Sequence, residues 1–349
     1  MAMPSIQPLF DTATWARVIA IHDADSGLRA FLVIDSWARG PAFGGIRRRA
    51  YASESEALAD ALALASAMTR KCALAELAAG GAKTVVIDHP NFAREAGYLA
   101  LARAIEELGG RYVCGPDVGT GEAELALVRR VTRHVNPVGN DAAAATALGV
   151  LAGLRGLVAS CFGTRSLAGL RVVIEGLGAV GSALAAALLD AGAHVQGFDI
   201  AAEARERAAA RGVQLLDAER LFEQPCDVFM PCALGRSLTR ERVARASWRA
   251  VCGSANNQIA TPEVELDLHA RGIAWAPDEL VSAGAVIEGV CTVEQGEVGR
   301  ARAAATIAAI ADTCTWLLER SRAEDRPPGE LARALAAQRV ATSSAAVSR

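Results

Sequence analysis

The sequence predicts an α/β protein of two domains, the second a doubly wound parallel sheet, and three observations carry that expectation. The chain has 349 residues, of which 52% are apolar, and a domain typically holds about 150 residues. Residues 171–200, RVVIEGLGAVGSALAAALLDAGAHVQGFDI, read as one complete strand–turn–helix–strand unit. Elsewhere, strand-like runs end in loops of small or polar residues, as expected where ligands bind outside the carboxyl ends of a parallel sheet.

Within that unit, Val172-Val173-Ile174 is β-branched and apolar, the mark of a strand buried on both faces. Gly176, Gly178 and Gly181 form G-x-G-x-x-G with Leu177, Ala179 and Val180. The first glycine suits a tight turn, the second close approach of backbone to a pyrophosphate, the third helix–strand packing. Ser182–Ala191 continues as strong helix formers, aiming N-terminal N–H groups at phosphates. Val195–Phe198 is the next strand; Asp199, eighteen residues beyond Gly181, stands where an acid would bind the adenosine ribose, with Ile200 after it. A carboxylate there repels a 2′-phosphate and favours NAD over NADP, although Arg205 and Arg207 lie close by. Strand, helix and acid agree on a Rossmann-type NAD-binding domain, which the glycines alone would not establish.

Bulk properties exclude several classes. A net charge of −3 has no basic excess, so no nucleic-acid partner is indicated; Arg47-Arg48-Arg49 reads as a solvated face. Eight cysteines without a C-x-x-C pair or histidines at ligand spacing indicate reduced thiols in a cytoplasmic protein and no metal site. The opening MAMPSIQPLFD has neither basic nor apolar signal regions. No apolar run reaches a membrane span's length free of glycine or charge. There is no internal repeat.

In chain order, Trp15–Ile21 and Leu28–Ile34 predict an antiparallel hairpin across a turn-rich connector. Gly40–Arg47 (GPAFGGIR) is too glycine-rich for regular structure and reads as a loop able to approach a small ligand. Ser53-Glu54-Ser55-Glu56 opens a helix to about Arg70, with Leu58, Leu62, Ala65 and Met68 on one face and Lys71 just past its end. Gly80-Gly81-Ala82-Lys83 is a turn meeting the strand Thr84–Ile87. A helix over 91–108, a strand over 111–114, a loop over 115–121 carrying Asp117, and a helix from Glu122 complete the first domain. The alanine-rich helix 141–158 leads into the second. Strands at 226–230, 250–252 and 273–276 follow, the last running into a loop at 282–288. A long helix over 298–319, a break at 322–328, a last helix over 329–338 and a small, polar, disordered tail over 340–349 end the chain. The domains expected are 1–138 for substrate and 139–319 for dinucleotide, a cleft between them, with the C-terminal helix of about 320–349 able to pack back on the first.

Two lysines and an aspartate in loops before a dinucleotide domain suit a substrate carrying a carboxylate beside the carbon that yields hydride. One cation would hold the carboxylate, because hydride transfer needs fixed geometry. A second lysine, desolvated beside the first, could act as a base near neutral pH, and a carboxylate could move protons to an amine. Each residue alone is more commonly a surface or capping side chain; their context distinguishes them.

That context resembles the Glu/Leu/Phe/Val dehydrogenases, most closely the leucine and phenylalanine dehydrogenase branch. The matching stretches are GPAFGGIR (40–47), YASESEAL (51–58), MTRKCALAEL (68–77), GGAKTVVI (80–87), PDVGT (116–120), GLGAVG (176–181), CDVFMPCALG (226–235) and GSANNQ (253–258). The resemblance implies a reversible NAD-dependent oxidative deamination of an apolar or aromatic L-amino acid to its 2-oxo acid and ammonia. It implies that Lys71 binds the substrate carboxylate, with Gly44, Gly45 and Asn257 as further contacts, and that Lys83 is the base and Asp117 the proton carrier. On the cofactor side it implies Thr146, Cys232, Ala233 and Asn256 beside the glycine turn, Asp199 and Ile200. It further implies a homo-oligomer. Four departures stand out. Ala143 replaces a hydroxyl residue near the nicotinamide, and Ala82 replaces the third glycine of GGGK. Arg39 and Glu288 place charge near the expected side-chain pocket. These last two open a second reading, a biosynthetic relative supplying an aromatic 2-oxo acid; Ala143 is the sole support for a third, a non-catalytic NAD-binding regulator.

Overall fold

The computed structural model describes residues 15–347, so the opening segment read for a signal lies outside the described residues. The chain divides into two compact units, one of residues 1–73, 78–138 and 340–349, the other of 74–77 and 139–339.

The first unit is built on a five-stranded sheet in the order β1-β2-β4-β3-β5. β1 (Arg17–Asp23) and β2 (Leu28–Ser36) form the expected antiparallel hairpin. β4 (Gly80–Ile87) runs antiparallel to β2, while β3 (Ala42–Arg49) runs parallel to both β4 and β5 (Tyr112–Gly115). Helix α1 (Glu54–Leu74) covers one face, where Val33 and Val85 meet Ala57, Ala61 and Ala65. α2 (Arg94–Glu106) and α3 (Glu122–Arg129) contribute Tyr98, Leu101, Ile105, Leu125 and Val128 to the core on Leu28, Leu32, Ile46 and Tyr112.

Four expectations change here. GPAFGGIR is a central strand instead of a loop, because its glycines are where neighbouring backbone comes closest: a Cβ on Gly44 would sit 1.7 Å from the Ala82 carbonyl oxygen, and one on Gly45 2.5 Å from that of Pro116. Helix α1 runs four residues past Arg70, so Lys71 is in its last turn, where the helix dipole favours a cation. Its buried stripe is Ala57, Ala61 and Ala65, with Leu58 and Leu62 only half-buried; small residues let the helix lie close on the sheet. Lys83 is inside β4, opposite Val33, and not at a turn. The helix start is as read: Glu56 N–H donates to Ser53 Oγ at 3.1 Å, and Glu56 reaches back to the Ala52 N–H at 2.9 Å.

The second unit carries a parallel sheet. In chain order its strands are β6 (Arg171–Glu175), β7 (His194–Phe198), β8 (Gln214–Leu215), β9 (Cys226–Pro231), β10 (Trp248–Val251) and β11 (Ala274–Trp275). Their spatial order is β11-β10-β9-β6-β7-β8, the 3-2-1-4-5-6 arrangement of dinucleotide folds counted from β6. Trp248 stacks on Phe229 at 4.2 Å between centroids and anchors one core.

Helix α4 (Ala142–Phe162) packs with α5 (Ala179–Asp190), α10 (Gly284–Ala308) and α11 (Ile310–Glu324). It is long and apolar enough to cross a membrane by composition, although it carries Arg155 and three glycines, and 61% of that window is buried inside the protein. Its glycines serve packing: a Cβ on Gly156 would meet the Ala311 carbonyl oxygen at 2.2 Å. Asp141 caps it, accepting from the Ala143 and Ala144 N–H groups at 3.0 Å each.

Residues 284–288, expected in a loop, begin α10, and the single helix over 298–319 is two, divided at Ala309. The tail is ordered as helix: α12 spans Pro328–Val347, buries Leu331, Ala332 and Ala336, and receives a 3.0 Å hydrogen bond from Arg39 at Ser343. The same bond accounts for Arg39, whose guanidinium is engaged by this helix.

Candidate active site

The buried charges of the first unit gather at one end of its sheet. Lys83 is 6% exposed, an unusual place for a lysine, and its Nζ lies 2.6 Å from Asp117 Oδ2. Asp117 sits in a tight turn after β5, closed by mutual backbone hydrogen bonds with Thr120 at 2.9 and 3.2 Å. That turn is tied to β3 where the Arg48 N–H donates to the Val118 carbonyl at 2.8 Å. Arg47 Nε reaches the same Asp117 oxygen at 3.0 Å, and its Nη1 meets Asp60 at 3.3 Å. Tyr51 then donates to Asp60 at 2.7 Å.

The run Arg47-Arg48-Arg49 is therefore not simply a solvated face: Arg47 supports Asp117, Arg48 pairs with Asp88 at 2.7 Å, and Arg49 with Glu56 at 3.4 Å. Burial alone would raise the Asp117 pKa. The Lys83 and Arg47 charges outweigh burial and hold the carboxyl well below the usual range, so it is ionised at neutral pH.

Gly44 and Gly45 belong to this cluster. A Cβ on Gly45 would lie 2.9 Å from that of Asp117, and one on Gly44 3.3 Å from the Lys83 backbone nitrogen. Under them Tyr112, fully buried, donates to the Gly44 carbonyl at 2.9 Å and accepts from Thr84 at 3.0 Å. Lys71, 8% exposed, comes from α1, whose Thr69 backbone would be 2.0 Å from a Cβ on Gly81. The helix end bearing Lys71 thus lies against the start of the strand bearing Lys83.

In the second unit, a groove of about 650 Å³ opens at the carboxyl ends of β6, β7 and β9. The three glycines of its turn serve different ends. Gly176 has φ +93°, and a Cβ on Gly181 would strike the Gly176 carbonyl oxygen at 2.0 Å. Gly178 has φ −68°, open to any residue, and its absent Cβ would point into empty space. That space is the approach a pyrophosphate needs, so the site fits the dinucleotide. Gly178→Ala is accordingly expected to leave the thermal melt unchanged and weaken NADH binding roughly tenfold or more, measured by calorimetry; a melt lowered with affinity intact would contradict the assignment.

Asp199 accepts from the Leu177 N–H at 2.7 Å and the Ala201 N–H at 2.9 Å, which orients it beside the glycine turn. Arg205 donates to the carbonyls of Asp199 and Ile200, at 2.7 and 3.0 Å. Ile200 and Leu234 line the groove with 88% and 84% of their surface exposed. Two such apolar side chains flanking one groove are a platform for a flat ring. Cys232 and Ala233 line it too, and burial pushes the Cys232 thiol up to about 11.

Asn256 and Asn257 pack beside this loop: Arg236 N–H donates to the Asn257 carbonyl at 2.6 Å, and Asn257, at φ +53°, donates its own N–H to Asp278 at 2.8 Å. Thr146 sits on α4 outside the groove lining, its hydroxyl bonded to the Ala142 carbonyl at 2.7 Å. Sequence reading missed Arg47, Asp60, Tyr51 and Glu175. The signal for Arg47 was available, since in a strand it shares a face with Gly45, two residues earlier.

A doubly wound sheet with this groove, and a buried lysine–aspartate pair in the other unit, define the class as a nicotinamide-linked α/β oxidoreductase. A family model described as the Glu/Leu/Phe/Val dehydrogenase dimerisation domain matches residues 16–134, and one described as glutamate/leucine/phenylalanine/valine dehydrogenase matches residues 196–344. Valine dehydrogenase of Streptomyces albus is 38% identical over 336 residues, 93% of this chain and 92% of its own. Leucine dehydrogenase of Thermoactinomyces intermedius is 37% identical over 281 residues, 78% of this chain and 77% of its own. Among solved structures, L-tryptophan dehydrogenase from Nostoc punctiforme is 27% identical, with a TM-score of 0.83 over 97% of this chain and 99% of its own. The chain belongs to the Glu/Leu/Phe/Val dehydrogenase family, and is an NAD-dependent amino-acid dehydrogenase acting on a CH–NH2 group.

Proposed function

We propose that the protein catalyses the reversible oxidative deamination of an apolar or aromatic L-amino acid, with Lys71 holding the substrate carboxylate, Lys83 as base and Asp117 as proton carrier. The observation that carries the roles is the 2.6 Å Lys83–Asp117 contact, a proton donor and acceptor buried together beside Gly44 and Gly45. NAD, held at the glycine turn, would supply the acceptor for the Cα hydride, and the substrate would then be an iminium. Lys83, once it has passed its proton to Asp117, takes a proton from the water that attacks the iminium carbon. Asp117, carrying the proton received from Lys83 across their 2.6 Å contact, delivers it to the nitrogen and takes up the hydroxyl proton as collapse expels ammonia and leaves the 2-oxo acid. Gly44, Gly45 and Asn257 supply further substrate contacts. Gly176, Gly178, Ala179, Val180, Gly181, Asp199, Ile200, Thr146, Cys232, Ala233 and Asn256 hold the cofactor.

The first unit's match to a dimerisation domain supports a homo-oligomer, and eight free cysteines support a cytoplasmic setting. A second reading, supply of an aromatic 2-oxo acid, draws on Glu288, a half-buried carboxyl raised above its ordinary value by desolvation, and on the likeness to a tryptophan dehydrogenase. NADH formation on valine, leucine, phenylalanine and tryptophan tests both readings. Turnover on an apolar or aromatic residue is expected; leucine or valine clearly ahead argues against the second reading, and no turnover by folded protein with either NAD or NADP overturns the first.

A further inference from the structure

The dinucleotide groove contains two polar atoms that make no hydrogen bond of ordinary geometry within the protein. Glu175 is the last residue of β6, directly before the glycine turn, and Ser237 follows the loop after β9; both line the groove. Glu175 Oε2 and Ser237 Oγ are removed from solvent and have no hydrogen-bond partner. Buried polar groups are as a rule paired, so two orphans in one groove mark a place where a ligand completes the bonding. Desolvation raises the Glu175 pKa; the Ser237 hydroxyl, which faces the carboxyl outside ordinary hydrogen-bond geometry, and the Arg242 charge work against that rise.

The surroundings narrow the ligand group. Arg242 is occupied, donating to the Ser237 carbonyl at 2.7 Å and lying 3.9 Å over the Phe222 ring, so it closes a wall of the groove. With Ile200 and Leu234 exposed at the same groove, the cavity offers apolar faces for a flat ring together with an acceptor and a hydroxyl. The edge of adenine is complementary, because an amino group that only donates stands beside ring nitrogens that only accept. A ribose or a phosphate would not suit: the ribose acid is Asp199, and a carboxyl repels phosphate.

We propose that Glu175 and Ser237 are the adenine-recognition pair of this enzyme, Glu175 accepting from the N6 amino group and the Ser237 hydroxyl donating to an adjacent ring nitrogen. The proposal rests on the reading that this groove holds NAD. It adds a base-specific contact to the phosphate and ribose contacts, and it gives this chain a reason to carry an acid before its glycine turn.

Nicotinamide hypoxanthine dinucleotide, in which a carbonyl oxygen replaces the adenine amino group, is the probe. Its reduced form and NADH are titrated by calorimetry into the full-length wild type, Glu175→Gln and Ser237→Ala, with a thermal melt of each. A site built to accept a hydrogen bond rejects an analogue lacking it, so wild type is expected to bind the hypoxanthine form about tenfold or more weaker. Glu175→Gln, whose amide can donate, should close most of that gap, and Ser237→Ala should weaken NADH binding. Equal affinities in the wild type would overturn the proposal, as would a preference unchanged in Glu175→Gln. Should that variant not fold, the wild-type ratio and Ser237→Ala decide. If neither dinucleotide binds the folded wild type, the assignment of the groove to NAD fails with it, an outcome distinct from binding without discrimination.

Discussion

Lys83→Ala is expected to lower kcat between about a hundredfold and ten-thousandfold, the range that a positioned acid–base group contributes, while NADH affinity stays at the wild-type value. The second part follows from where the residues are: Lys83 lies in β4 of the first unit, and the groove is built from second-unit residues alone. The substitution leaves Asp117 with Arg47 at 3.0 Å, so the carboxylate keeps a charge partner and the fold survives. Stopped-flow hydride transfer and NADH calorimetry check both halves. Retained turnover would remove Lys83 from the chemistry, and lost NADH binding would show a damaged fold.

Asp117→Asn should be more damaging to the protein as a whole. The aspartate is the anion between two buried cations, Lys83 at 2.6 Å and Arg47 at 3.0 Å. Its neutral amide leaves Lys83 without that counter-charge and Arg47 with Asp60 alone, and breaking a buried pair in this way costs about 3–5 kcal/mol. Turnover falls as well, because the proton carrier is gone.

The pH dependence of stability provides an independent check. The folded-state pKa of Asp117 lies below the ordinary value of 3.8. Its contribution is therefore complete above that value and is lost as pH falls from there toward the folded value, where the unfolded chain takes up the proton first. The wild type should lose stability through this acid window, and Asp117→Asn should lose less over the same window. Urea melts between pH 5 and the acid limit read the difference; parallel curves would mean that Asp117 is not held ionised by its neighbours.

The parts of the fold legible in the sequence share one property, that their causes are local. The glycine turn 176–181, the helix start at Ser53 and the hairpin of β1 and β2 depend on residues within a few positions of each other. Elements misread depend on partners far along the chain. GPAFGGIR has the composition of a loop, yet forms a central strand because Gly44 and Gly45 give room to the backbone of residues 82 and 116. Residues 340–347 have the composition of a tail but continue α12, with Arg39 bonded to Ser343.

Motif alone set the residue types of the chemistry, two lysines and an aspartate ahead of a dinucleotide turn with a terminal acid, because a reaction constrains which groups must be present. Tertiary structure alone decided their states. It buried Lys83 within β4, turned Asp117 back onto it, and recruited Arg47 from a neighbouring strand. It also left Glu175 and Ser237 unsatisfied in the dinucleotide groove. Burial and charge pairing depend on distances between residues far apart in sequence, and those distances exist only once the sheet has formed.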